Sequence, residues 1–170
     1  MTLRRGTLAL VLLAAISAPA PLHAATDTPV EPAVAQIVPA GFTDALVATI
    51  ASPTAFDFHP DGRMFVTTQP GQVRIVRDGA LLPAPALDLA AVLCSGSERG
   101  LLGIALDPAV AANGFVYLFY TFKRFGTCDT NAPTAPVNRV SRFTLAGDVI
   151  DPGSELVLLD GMPSPNGNHN

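Results

Sequence analysis

Charge is scarce in this chain. Ten Lys and Arg stand against fourteen Asp and Glu among 170 residues, a net charge of −4. No stretch gathers the cations into a basic face, which excludes nucleic-acid binding, because neutralising phosphates takes clustered Lys and Arg. Several motifs are missing as well. No Gly-x-Gly-x-x-Gly or Gly-x-x-x-x-Gly-Lys run occurs, so there is no phosphate-cradling loop of either kind. No Gly-x-Ser-x-Gly occurs, so a serine hydrolase has no support. The acidic residues are scattered and lack the spacing of a calcium loop.

Cysteine and histidine are few. Cys94 and Cys128 are the two cysteines, and His23, His59 and His169 the three histidines. With no histidine or third cysteine near either cysteine, a metal site there is not expected. Long hydrophobic runs are confined to the N-terminus, where residues 1–25 read as a secretory signal. Arg4 and Arg5 form its basic start, Leu8 to Ile16 its apolar stretch, and small residues lead to cleavage after Ala24 or Ala25. A retained anchor is the alternative, although the run is short for a bilayer span. After cleavage no membrane span is expected, and the mature protein would be secreted or periplasmic. In that oxidising setting Cys94 and Cys128 are expected to form a disulfide closing a loop of about 35 residues, with two unpaired thiols as the alternative.

What the chain has in quantity is turn residues, 14 glycines and 16 prolines, set between short apolar runs. That punctuation predicts an all-β protein. Residues 26–40 read as a flexible lead-in and residues 41–170 as the folded part. Strands are predicted at Ala45–Ile50, Thr54–Phe58, Met64–Thr68, Val73–Arg77, Leu101–Leu106, Phe115–Phe122, Arg139–Leu145 and Glu155–Leu159. Asp78-Gly79 and Asn113-Gly114 are expected to form hairpin-type turns. Ala55 to Pro60 can be laid over Gly103 to Pro108, an offset of 48 residues. A period of roughly 40–50 residues of short antiparallel strands is that of a β-propeller blade. The expected fold is therefore a partial β-propeller of two to three blades, with a β-sandwich as the alternative on spacing alone. A closed ring needs more blades, so the chain is expected to be a fragment of a longer protein.

Taken bare, the residues name no chemistry. His169 lies in Asn166-Gly167-Asn168-His169-Asn170, where a loop histidine is either a catalytic base or ligand, or a solvated side chain. Glu98-Arg99 is either a solvated or turn-stabilising pair or part of a binding site.

A resemblance adds to this. The run Glu98-Arg99-Gly100-Leu101-Leu102-Gly103-Ile104-Ala105-Leu106-Asp107-Pro108 resembles a signature of the glucose/sorbosone dehydrogenase family. Asn113 to Tyr117, Asn138 to Phe143, Gly167 to Asn170, and Ser52 through Thr67 resemble further parts of it in the same order. The resemblance implies a six-bladed propeller that holds pyrroloquinoline quinone (PQQ) with calcium and passes electrons from a sugar to an external acceptor. It places His169 at the position of the base that takes the sugar hydroxyl proton. Glu98 falls where glucose-oxidising members carry a sugar-contacting glutamine, and Asn168 where they carry an aspartate, so both are expected substrate-binding residues. Both departures fit the sorbosone-type branch better than glucose itself. The residues that grip the quinone and calcium are implied to lie beyond Asn170, with no metal ligand in this chain. Two other classes remain: a ligand-binding propeller without catalysis, and a metal-dependent lactonase, for which the chain offers too few grouped carboxylates.

Overall fold

The computed structural model describes residues 38–130 and 133–168. The expected signal at 1–25, most of the lead-in and His169 lie outside the described residues. Residues 38–42, the described part of an N-terminal unit, form a turn closed by the Phe42 N–H on the Pro39 carbonyl at 3.0 Å. All named elements belong to the unit that starts at Thr43.

Alternating apolar and polar residues between Gly-rich turns fold here as two antiparallel sheets. The first contains β1 (Pro53–Phe58), β2 (Met64–Thr68) and β3 (Gln72–Arg77) in that order. Two short strands, β4 (Ala80–Leu81) and β5 (Leu87–Asp88), share the far side of β3. The second sheet runs β6 (Leu101–Leu106), β7 (Phe115–Phe122), β8 (Val137–Ala146) and β9 (Val149–Pro163). These are two blades of a β-propeller. The upper expectation of three is not met among the described residues, because the sequence from Glu155 onward extends β9 instead of opening another sheet.

The 48-residue offset holds for the first strand of each sheet. β1 shifted by 48 falls on β6 end to end, and each carries a register shift at its start, between Pro53 and Ala55 and between Leu101 and Gly103. The two first strands are also stitched together. The Thr54 hydroxyl donates to the Leu101 carbonyl at 2.6 Å, and the Leu106 N–H donates to Asp57 Oδ2 at 2.8 Å. Between the sheets lies one core. Phe65, Val73, Ile75 and Leu87 meet Leu101, Val116, Leu118, Tyr120, Phe143, Leu145 and Ile150. The period-2 spacing along β7 and β8 turns Val116, Leu118, Tyr120, Phe143 and Leu145 inward.

Asp78 and Gly79 both have positive φ, 51° and 74°, as a two-residue hairpin between β3 and β4 requires. Three expectations need correction. Ala45–Ile50 forms no strand: Val47, Ala48 and Ile50 line an open apolar concavity with Pro53, Phe56, Met64 and Val66, and Leu46 and Val47 stay largely exposed. Asn113-Gly114 is not a two-residue turn. Val110–Asn113 makes one helical turn, α1, which Gly114 ends in the left-handed conformation. There the Gly114 N–H reaches the Val110 carbonyl at 2.8 Å, and a Cβ would sit 2.5 Å from the Leu145 carbonyl oxygen. Finally, β9 is far longer than Glu155–Leu159. Pro152 and Gly153 look like a break, but the strand bulges past them, with Ser154 Oγ accepting the Thr144 N–H at 2.8 Å and donating to the Asp151 carbonyl.

Candidate active site

One end of the two blades is built by the loop before β6 and the segment after β9. The first turns sharply. Gly96, Ser97 and Gly100 have φ of 127°, 51° and 153°, and Gly96 and Arg99 exchange backbone hydrogen bonds at 3.2 and 3.1 Å. Gly100 is required by contact as well, because a Cβ there would lie 2.4 Å from the Gln69 carbonyl oxygen. Gln69, in the turn after β2, holds the loop from the neighbouring blade. Its Nε2 donates to the Ser97 and Arg99 carbonyls at 2.5 and 3.0 Å, and its own carbonyl accepts the Leu101 N–H.

The segment after β9 then lies against this loop. The Glu98 N–H donates to the Gly167 carbonyl at 2.9 Å, and the Ser97 hydroxyl donates to Asn168 Oδ1 at 3.0 Å. Contact is so close that a Cβ on Gly167 would stand 2.9 Å from that of Ser97. Asn166 Oδ1 accepts the Asn168 N–H at 3.1 Å and folds the segment on itself. Glu98 and Asn168, far apart in sequence, thus come to one surface, both exposed. His169 follows Asn168 directly in the chain and lies outside the described residues.

Beneath them sits Arg99, only 5% exposed. Its Nε donates to Ser164 Oγ at 3.1 Å, one terminal nitrogen to the Cys128 carbonyl at 3.3 Å, and the other to the Ser164 carbonyl. Burial pulls its guanidinium below the ordinary arginine value, yet an arginine so shifted keeps its charge at any working pH. The solvated Glu98–Arg99 pair is therefore not what forms: Glu98 faces out and Arg99 is turned inward. Cys94 and Cys128 are bonded to each other, with Cα atoms 5.6 Å apart. The bond ties the loop before β6 to the long loop between β7 and β8, whose Cys128 carbonyl Arg99 uses. His59 lies at the other end of β1, its Nδ1 2.8 Å from Asp61, in a turn closed by its own backbone.

Chemically, the surface carries a carboxylate at Glu98. At Asn168 the amide oxygen takes one hydrogen bond from Ser97, and the amide NH2 brings two donors. A donor beside an acceptor suits a hydroxyl-bearing ligand, since each hydroxyl both gives and takes a hydrogen bond. Among the described residues no group of three or more His, Cys, Asp or Glu is placed to hold a metal ion. Ser97 belongs to the candidate run Ser97 to Gly103 in the sequence, whereas Gln69 and Ser164 were not singled out for the site. Their roles are contacts between blades and between distant loops, for which a linear reading has no local signal.

The match to known proteins covers most of this unit. Residues 50–170 match the family described as Glucose / Sorbosone dehydrogenase. An uncharacterized protein of Synechocystis sp. is 33% identical over 124 residues, 69% of this chain and 28% of that protein. A putative oxidoreductase (glucose dehydrogenase) from Thermus thermophilus superposes with a TM-score of 0.57 at 32% identity, covering 74% of this chain and 34% of that one. The PQQ-bound aldose sugar dehydrogenase of Streptomyces coelicolor shares the fold, with a TM-score of 0.53 at 23% identity over 71% of this chain and 33% of its own. The chain thus spans about a third of the length of these relatives.

Proposed function

We propose, from the premise that the chain belongs to the glucose/sorbosone dehydrogenase family, that it forms the substrate-facing blades of an exported oxidoreductase that oxidises a sugar hydroxyl with PQQ. The observation that carries this reading is the docking of the 164–168 segment on the 96–99 loop, which brings Glu98 and Asn168 to one surface. The PQQ named for the Streptomyces coelicolor structure supports the cofactor, and the dehydrogenase names of the relatives support the reaction class.

The described residues do not by themselves fit the quinone. PQQ is a tricarboxylate and asks for cations, whereas Arg99 is buried and each of its nitrogens already donates to Ser164 or Cys128. Nor do they offer a calcium site built from several acidic side chains. The grip on both is assigned to blades beyond Asn170. When bound, the quinone supplies the acceptor for the hydride of the oxidised carbon.

This chain's own share is the sugar and its proton. Glu98 accepts from, and Asn168 donates to, hydroxyls of an aldose. His169 takes the proton of the reacting hydroxyl at an imidazole nitrogen, a transfer for which a group titrating near neutral pH is suited. The electrons pass onward to an external acceptor. The leader at 1–25 directs the protein to a secreted or periplasmic location, and among the described residues no helix is long and apolar enough to cross a membrane.

The test is a spectral titration of the full-length protein with PQQ and calcium, followed by aldoses. Saturable binding, sugar-dependent reduction, and loss of turnover but not of PQQ binding in His169→Ala are expected. A folded, monodisperse protein that takes up no quinone would overturn the enzyme reading in favour of a ligand-binding propeller. Normal turnover in His169→Ala would remove the base assignment.

A further inference from the structure

A cation that is almost wholly buried is expensive to keep, and it persists where each of its nitrogens finds a hydrogen-bond partner. Arg99 meets that condition with neutral oxygens: the Ser164 hydroxyl, the Ser164 carbonyl and the Cys128 carbonyl. Its guanidinium fork thereby joins three pieces of chain distant in sequence: the loop before β6, the loop between β7 and β8, and the start of the 164–168 segment. Hydrogen bonds from a charged donor are stronger than neutral ones, and the planar fork fixes direction as well as distance. A lysine would place the same charge but, with a single nitrogen, does not span acceptors on both sides.

The surroundings hold Arg99 to this task. Gln69 Nε2 grips the Arg99 carbonyl from the other blade, and Gly100 admits the Gln69 backbone against the loop. Cys128 is anchored by the bond to Cys94, so one acceptor of Arg99 is covalently fixed. Ser164 is 2% exposed, and its N–H reaches the Pro136 carbonyl at 3.3 Å. From Ser164 the chain runs four residues to Asn168, bound over the same loop by Glu98 and Ser97.

From this we infer that Arg99 is the positioning residue of the site: it locks the 164–168 segment, which carries Asn168 and precedes His169 in the chain, onto the loop that carries Glu98, without touching the substrate. The inference rests on the reading of Glu98, Asn168 and His169 as the sugar site. Its geometric content, the locking of one segment on another, is measurable apart from that reading. The Glu98 amide, bound to the Gly167 carbonyl, reports whether the segment is docked, and a central β7 amide such as that of Leu118 reports on the blade as a whole.

The experiment compares Arg99→Lys and Ser164→Ala with the unaltered full-length protein by amide hydrogen exchange and by steady-state kinetics on an aldose with PQQ and calcium. Ser164→Ala removes one acceptor and keeps the cation buried, so it carries the test if Arg99→Lys fails to fold. Exchange at Glu98 is expected to rise about tenfold or more while Leu118 is unchanged, the signature of a local opening. In Arg99→Lys kcat is expected to fall about a hundredfold, more than KM rises, as misplacement of a base by about 1 Å entails. Unchanged exchange at Glu98, or equal acceleration at Glu98 and Leu118, overturns the assignment. Opening at Glu98 in a protein that reduces no quinone even unaltered leaves the lock standing and removes the dehydrogenase reading instead.

Discussion

The Tyr120 hydroxyl is buried in the core and shares Glu155 Oε1 with the Ser141 hydroxyl, which donates to the same oxygen at 2.7 Å. Burial first, and the Glu155 carboxylate second, push the phenol up to about 12. The folded chain therefore keeps a proton that the unfolded chain, with a phenol near 10, gives up. The resulting stability is complete below pH 10 and is lost as pH rises toward 12. Its size is roughly 2–3 kcal/mol, at about 1.4 kcal/mol per unit. Urea unfolding between pH 9 and 12 is expected to show this decline, and Tyr120→Phe to lack it. At the sugar surface the arithmetic is different, because the side chains are exposed. Glu98→Ala in the full-length protein is expected to raise KM for the aldose about tenfold with a smaller change in kcat, since a lost hydrogen bond to a ligand is worth about 1–2 kcal/mol. Initial-rate kinetics would show it. An unchanged KM would take Glu98 out of the site.

Loops, not strands, carry the candidate chemistry, and two devices fix them. One is the Cys94–Cys128 bond, which closes a sequence separation of 34 residues. A cross-link over such a loop stabilises by roughly 3–4 kcal/mol, mainly by restricting the unfolded chain. Replacing both cysteines with alanine is expected to lower the urea midpoint accordingly. It should also speed exchange at the Glu98 amide, because the Cys128 carbonyl under Arg99 is then no longer anchored. The other device is the turn glycine. At Gly100 a positive φ coincides with a Gln69 carbonyl oxygen that would lie 2.4 Å from an added Cβ, so Gly100→Ala is expected to destabilise by more than the roughly 1 kcal/mol of a simple conformational penalty. A thermal melt unchanged from the parent would contradict the contact.

Two blades leave faces that packing has not covered. Phe56 and Phe58 on β1 are 63% and 59% exposed, and Leu156 to Leu159 on β9 are each about half exposed. Phe115, Tyr117 and Phe119 line the other open face, with the Arg142 guanidinium 3.9 Å over the Phe115 ring. Apolar surface of that extent, next to an edge strand of 15 residues, is a template for association. The 170-residue chain by itself is expected to self-associate with rising concentration in sedimentation velocity. Charged replacements at Leu156 and Leu158 are expected to reduce that association without unfolding the core. Between the blades the opposite holds: Phe65 is completely buried, and Phe65→Ala is expected to cost about 3–5 kcal/mol.

Much of this architecture was legible in the linear order of residues. The period-2 runs named most strands, Asp78-Gly79 named its hairpin, and the 48-residue offset placed β1 on β6, because side-chain alternation and turn chemistry are local properties. The same locality misled at Ala45–Ile50, an apolar run that forms no strand, and at the expected Glu155–Leu159 strand, which a bulge extends back through Pro152-Gly153. At the site, the family motif pointed to Glu98 and Asn168, but nothing in the order of residues joined them. That they share a surface, that Ser97 takes up the Asn168 oxygen, and that Arg99 turns inward onto Ser164 and Cys128 were decided by tertiary structure alone. The physical reason is that these are hydrogen bonds between segments dozens of residues apart. Which donor meets which acceptor there depends on how the blades and loops pack, and no spacing within the sequence encodes it.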